Sequence, residues 1–238
     1  MKAIITAAGQ SSRLWETTRR EPKTLLPFGD GSILSAILGN FGAAGIREFL
    51  VVVGYRGDLI ADHVRTNAGF GFSVDILDNP DWHRGNGLSV LRALAHLDPE
   101  EPVLLSMADH VVSPVALAAV RDGPASTNLL LIDFRIGEVF DLDDATKVLL
   151  EGERIADIGK DLPRYDAVDC GVFRLDQRFR LAMERAATQG REGISDGVRE
   201  LIPSEGFGTV ALPAGSAWLD IDTPDAYRHA LARRSTFA

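Results

Sequence analysis

Lys2-Ala3-Ile4-Ile5-Thr6-Ala7-Ala8-Gly9-Gln10-Ser11-Ser12-Arg13 is a short apolar run that breaks into a loop of small side chains. The run over 2–8 reads as a first strand, and the residues after it as the loop that ends it. Working outward, strand-length runs alternate with helix-length stretches. Ser32 is placed to cap a helix whose apolar residues Ile33, Ile37, Leu38 and Phe41 recur at helical spacing, ending near Gly45 before a strand at 49–53. A helix around 59–64, a strand at 72–77, a helix at 88–97 and a strand at 103–107 continue the rhythm. That alternation predicts an α/β fold of βαβ units with right-handed crossovers, a mostly parallel sheet flanked by helices. Ligands of such sheets bind beyond the carboxyl ends of the strands, so the loops after Ala8, Val53, Leu77 and Met107 share one crevice, which brings Gly9 and Asp109 together.

From Asn128 the rhythm changes. A strand at 129–134, a hairpin of 146–151 with 154–158 and a strand around 168–175 read as an inserted β-rich flap. Helices over 177–188 and 194–201, strands near 209–212 and 217–221 and a final helix from Pro224 complete the chain. One domain over 1–238 is expected, in two halves, 1–125 and 126–238. Gly69-Phe70-Gly71 reads as a turn rather than a linker.

Composition excludes several classes. At 238 residues, 45% hydrophobic and 25% charged, the chain can bury one sizeable core without staples. Its 25 Lys and Arg against 34 Asp and Glu, a net charge of -9, disfavour a broad footprint for nucleic acid or anionic membrane. An anionic substrate must therefore meet a local basic patch. Cys170 is the single cysteine, so no internal disulfide forms, and Met1-Lys2-Ala3-Ile4-Ile5-Thr6 is too short an apolar run for a secretion signal. The most apolar windows, such as 49–53 and 129–132, fall far short of the roughly 20 residues of a membrane helix. A cytoplasmic protein is expected.

Chemistry concentrates at four places. In the first loop, Ala7, Ala8, Gly9, Gln10, Ser11 and Ser12 leave the backbone open, and consecutive N–H groups there suit phosphate oxygens. Arg13, and Lys23 in Pro22-Lys23-Thr24-Leu25-Leu26-Pro27, supply the positive charge that a triphosphate attacked at its α-phosphorus requires. Arg19 and Arg20 either extend that patch or are simply solvated. Second, Gly85-Asn86-Gly87-Leu88-Ser89 stands at a helix entry, where Asn86 or Ser89 either reads base edges or caps the helix. Third, Met107-Ala108-Asp109-His110 ends a buried strand in a carboxylate suited to a hard cation, with His110 in support rather than as a ligand. Fourth, Trp218-Leu219-Asp220-Ile221-Asp222-Thr223-Pro224 sets Asp220 and Asp222 on one face if extended, with Asp222 or Thr223 as the alternative cap of the last helix.

Ala8-Gly9-(x)3-Arg13 with Pro22-Lys23-(x)3-Pro27 resembles the signature loop of the sugar-phosphate nucleotidyltransferases, a family with a Rossmann-like α/β core. The stretch 144–171, with Gly85-Asn86-Gly87 and Met107-Ala108-Asp109-His110, is similar to the CTP:inositol-1-phosphate cytidylyltransferases. This resemblance implies a nucleotide-binding first half and an acceptor-binding second half. It implies CTP as donor and inositol 1-phosphate or a similar polyol or sugar phosphate as acceptor. It also implies Mg2+ held by Asp109 and Asp222, with Asp220 behind them or as the alternative ligand. On the flap, Lys147 and Lys160 would grip the acceptor phosphate, bordered by Asp169 and Gly171. Two departures stand out. Gln10-Ser11-Ser12 lies where many relatives carry another glycine, and the membrane-embedded phosphotransferase fused to many enzymes of the inositol type is not expected here. The alternatives are a hexose-1-phosphate guanylyl- or uridylyltransferase, a phosphocholine or phosphonate cytidylyltransferase, and a catalytically silent nucleotide-sensing subunit.

Overall fold

The structure is a computed structural model and describes residues 1–66, 71–124 and 127–237; the turn expected at 69–71 falls largely outside them. Strand β1 (Ala3–Ala7) leads through the single turn α1 (Trp15–Thr18), a 3-10 turn at Lys23–Leu25 and the two-residue strands β2 (Pro27–Phe28) and β3 (Gly31–Ser32) to helix α2 (Ile33–Ala43). Then follow β4 (Glu48–Val53), α3 (Gly57–Thr66), β5 (Ser73–Asp78), α4 (Asn86–His96), β6 (Val103–Met107), β7 (His110–Val112) and α5 (Pro114–Arg121). The second half comprises β8 (Leu129–Asp133), β9 (Lys147–Glu151), β10 (Arg154–Gly159), β11 (Ala167–Leu175), α6 (Gln177–Thr188), α7 (Ile194–Leu201), β12 (Gly208–Ala211), β13 (Trp218–Asp220) and α8 (Pro224–Ala232).

One nine-stranded sheet runs in the order β5-β4-β1-β6-β11-β8-β12-β10-β9. Strand alternation divides its side chains between two cores. Ala3, Ile5 and Ala7 of β1 and Phe49, Val51 and Val53 of β4 face α2, α3 and α5, whereas Ile4, Leu50 and Val52 face the side covered by α4, α6 and α7. Helices on both faces explain why the inner strands read as unbroken apolar runs. Caps end the helices where the sequence allows. Ser32 Oγ accepts from Ser35 N–H at 3.0 Å, Asp176 from Arg178 N–H at 2.9 Å and Thr223 Oγ1 from Ala226 N–H at 3.1 Å. Thr223 therefore caps α8, and Asp222 does not.

Three features depart from the sequence reading. The sheet is parallel through β5, β4, β1 and β6, but β11 enters antiparallel between β6 and β8, so the mostly parallel expectation holds for the first half. The β9–β10 hairpin forms where expected but is no free flap: β10 pairs β12, β9 pairs β11, and β11, β8, β12, β10 and β9 close into a ring of paired strands. Helix α5 and strand β7 go beyond the elements expected from the sequence, although Ser113-Pro114 is an ordinary helix start. The short β7 matters because it pairs antiparallel with β13, setting His110 opposite Asp220.

Candidate active site

Two cavities lie beyond the carboxyl end of β1. One, about 310 Å³, is lined by Ala7, Ala8, Gly9, Ser11, Ser12 and Arg13 of the first loop, but not by the expected Gln10, and by Lys23, Trp82, Arg84 and Ser89. The other, about 290 Å³, is lined by Asp133, Arg135, Lys160, Asp169, Trp218 and their neighbours on the strand ring and α8. Both share Asn86, Met107, Asp109 and Asp222, so the two aspartates stand on the wall between them. Gly9 and Asp109 meet in one crevice, as the topology requires.

Charges of opposite sign converge on that wall. Lys23, buried, donates from Nζ to Asp109 Oδ2 at 2.8 Å and also bonds Asp222 Oδ1. Arg13 bonds Asp222 and donates to Asp144 Oδ2 at 2.8 Å, and Lys160 reaches the other oxygen of Asp144 at 2.6 Å. Burial alone would raise the Asp109 carboxyl, but Lys23 and His110 outweigh it and hold it well below the ordinary carboxylate range. His110 Nδ1 donates to Asp109 Oδ1 at 2.7 Å, and its ring stacks on Trp218 at 6.0 Å between centroids. Burial would lower its pKa, yet Asp220, Asp109 and Asp169 push it up to about 9. The carboxylates around it thus favour the protonated form of the His110 imidazole. Burial pushes Asp169 up to about 6 although Gly171 N–H donates to it at 2.6 Å, and burial also raises Asp220.

The acidic groups fit a hard divalent cation. Ligand atoms of Asp109, His110 and Asp220 lie within 4.8 Å of one another, as do those of Asp144, Asp220 and Asp222. Asp220 belongs to both groups, and its Oδ1 is buried without a hydrogen-bond partner among the described residues. An orphaned buried carboxylate oxygen costs free energy unless a cation or donor meets it. Oxygen donors in this number suit Mg2+ or a similar ion better than a soft metal.

Several expected residues have other work. The left-handed backbone in the first loop falls on Ser11 (φ 54), not on Gly9, where an added Cβ would meet nothing within 4 Å. No acceptor among the described residues takes the N–H groups of Gly9, Gln10, Ser11 or Ser12, which keeps the loop suited to phosphate. Gly85 and Gly87 do not line the first cavity. A Cβ on either would come 2.3 Å or 2.6 Å from the Glu192 carbonyl oxygen, so they are glycine because another backbone docks there. That carbonyl accepts the Gly87 N–H at 2.9 Å, so the start of α4 is spent within the protein. Asn86 lines both cavities, but its Oδ1 accepts Ile194 N–H at 3.0 Å, and Ser89 Oγ accepts Asn79 Nδ2 at 2.8 Å.

On the strand ring, Lys160 lines the second cavity and Lys147 does not. Lys147 is buried and donates from Nζ to the Asp143 carbonyl at 2.8 Å, because β9 is locked into the ring by β11 and turns its first side chain inward. Gly171 has φ +73, and a Cβ there would lie 2.4 Å from His110 Cδ2, so its smallness makes room for the imidazole. Arg19 and Arg20 line neither cavity; Arg20 lies over the Trp15 ring at 5.0 Å. The sequence reading passed over Asp144, the Asp133–Arg135 pair and Trp218, whose Nε1 donates to Asp133 at 2.9 Å. Asp144 had no local signal, since its partner Arg13 is 131 residues away.

Residues 3–128, just over half the chain, match the model of the MobA-like NTP transferase domain. A bifunctional IPC transferase and DIPP synthase of Rubrobacter xylanophilus is 36% identical over 95% of this chain and 50% of its own length. A protein of the same description from Archaeoglobus fulgidus is 34% identical over 97% of this chain and 43% of its length. The chain thus spans about half the length of these curated relatives. The inositol-1-phosphate CTP transferase of T. maritima has the same fold, with a TM-score of 0.88 at 21% identity over 99% of this chain and 95% of that one. On the match over 3–128, the chain belongs to the MobA-like NTP transferase domain family of nucleotidyltransferases.

Proposed function

We propose that this chain is a magnesium-dependent cytidylyltransferase that joins CMP from CTP to inositol 1-phosphate, or a similar small polyol phosphate, and releases pyrophosphate. The observation that carries the reading is the wall shared by two cavities, where Asp109, Asp222 and Lys23 meet between a loop suited to phosphate and a pocket rich in carboxylates. In this reading the half 1–125 holds mainly the nucleotide and the half 126–238 mainly the acceptor. The relatives described as IPC transferases support the cytidylyl and inositol assignments. The chemistry of the second cavity supports the acceptor assignment, since Asp141 and Asp169 offer carboxylate oxygens to the hydroxyl groups of a polyol. Soluble phosphorylated substrates suit a cytoplasmic setting, and no helix among the described residues is long and apolar enough to cross a membrane.

The geometry supports in-line transfer. An acceptor phosphate oxygen, ionised near neutral pH, attacks the α-phosphorus, the bond to the β-phosphate oxygen breaks, and no general base is needed. Arg13 and Lys23 exchange their carboxylate partners for phosphate oxygens, placing positive charge where it accumulates in transfer. Lys160 leaves Asp144 for the acceptor phosphate, and His110 holds Asp109 in orientation. Asp109, Asp222 and Asp220 would hold Mg2+, which would supply positive charge beside the substrate phosphates.

Pyrophosphate release measured across the four nucleoside triphosphates against inositol 1-phosphate, hexose 1-phosphates, phosphocholine and phosphonates tests the reading. Turnover is expected with CTP and inositol 1-phosphate, with Mg2+ present. Preference for GTP or UTP with a hexose 1-phosphate would replace it, and CTP binding without turnover on any acceptor would mark a silent nucleotide sensor.

A further inference from the structure

Glu192 lines neither cavity, yet its main-chain carbonyl and its carboxylate are both spent on the turn 84–87 at the first. Its main-chain carbonyl accepts from Gly87 N–H at 2.9 Å. Its carboxylate accepts from Gly85 N–H at 3.4 Å and from Arg84 Nε at 3.3 Å, and also pairs with the terminal guanidinium nitrogen. Gly85 and Gly87 leave the room this docking requires. Arg84 and Asn86, on either side of Gly85, do line the first cavity.

The arrangement has a physical cost and a purpose. A half-exposed arginine on a loop samples many rotamers, and a site that uses it must order it on binding. A carboxylate gripping the guanidinium through two nitrogens orders it in advance. The loop that carries Glu192 continues into Ile194 and Ser195, which line the second cavity, and Ile194 N–H is held by Asn86. One segment of the acceptor half therefore braces the turn 84–87 while forming part of its own cavity.

We propose that Glu192 is a positioning residue for the nucleotide, acting through Arg84 and the turn 84–87 to keep the first cavity in its binding shape. This rests on the cytidylyltransferase reading, in which the phosphates lie against Arg13 and Lys23 and the nucleoside lies toward Trp82, Arg84 and Asn86. Nucleotide affinity then depends on a residue that touches neither substrate and belongs to the other half of the chain.

The test is steady-state kinetics with CTP and inositol 1-phosphate each varied, with calorimetric binding of CTP alone and thermal unfolding alongside. For Glu192→Ala the KM and Kd for CTP should rise on the order of tenfold, with kcat within about twofold of wild type. Glu192→Gln keeps the volume and an acceptor for Gly85 N–H but loses the charge facing Arg84, so its rise should be smaller, with unfolding unchanged. Arg84→Met should raise the CTP KM as Glu192→Ala does, and the double variant should be no worse than the worse single one, since both act through one contact. Unchanged CTP KM and Kd in both Glu192 variants would overturn the proposal. So would a double variant whose loss is the product of the two singles, or a fall in kcat and unfolding temperature at constant KM. Failure of the underlying reading is seen separately, on the wild-type protein: no CTP binding and no pyrophosphate release would overturn both.

Discussion

The loop after β1 and the strand ring of the second half meet at the same two aspartates but are built in opposite ways. The loop is contiguous, made mostly of small residues whose backbone N–H groups are unclaimed among the described residues, with Arg13 and Lys23 close in sequence. The ring side is a network of charges and hydrogen bonds assembled from distant segments: Arg13 with Asp144, Trp218 with Asp133, His110 with Asp169 and Asp220. A backbone site tolerates exchange of most of its side chains, whereas a network of paired charges fails when one member leaves its partner buried and alone.

The largest expected effect lies where the two regions meet. Lys23→Ala and Asp109→Ala should each lower pyrophosphate release by ~10²–10³ or more, and chelation of divalent cations should abolish it. Wild-type turnover in both variants would break the comparison at its centre. Next is Gly171→Ala, which places a Cβ against His110 in a left-handed backbone. A loss of ~1–3 kcal/mol of stability is expected in denaturant titration, with reduced turnover; the equivalent Gly9→Ala, in open space, should leave stability nearly unchanged.

Smaller effects should separate the two flap lysines. Lys160→Ala should raise the acceptor KM roughly tenfold with little change in stability, whereas Lys147→Ala should lower the unfolding midpoint through the orphaned Asp143 carbonyl and spare the acceptor KM. The reverse result would restore Lys147 to the acceptor site. The smallest effect is the acid response. Burial would raise the Asp133 and Asp176 carboxyls, but Arg135 with Trp218, and Arg178 with Asn128, hold both below their ordinary range. Folded pKa values depressed in this way add stability that is present above the unfolded value near 4 and is lost as pH falls through the folded one. Amide exchange should therefore quicken below about pH 4 around β8 and the start of α6 before it does around β1 and β4.

Much of the first half was legible because its information is local. Short apolar runs through β1 and β4, a serine before α2 and the Thr223-Pro224 start of α8 act over a few residues, so pattern and structure agree to within one or two positions. Lys23 and Asp109 were legible for the same reason, each lying at the end of a recognisable strand or motif. Gly85 and Gly87 were visible as glycines but not in their cause, since the Glu192 backbone that docks on them is more than a hundred residues away.

By itself, then, the sequence determined an α/β sheet with helices on both faces, a phosphate-suited loop after its first strand and acidic residues at the loop ends, because propensity, capping and alternation are short-range. Only the tertiary structure decided that Lys160 and not Lys147 reaches the second cavity, that Thr223 frees Asp222, and that β7 against β13 surrounds His110 with carboxylates. Those outcomes depend on strand register and ring closure, where a shift of one residue exchanges the two faces of a strand, and no local pattern encodes the pairing partner.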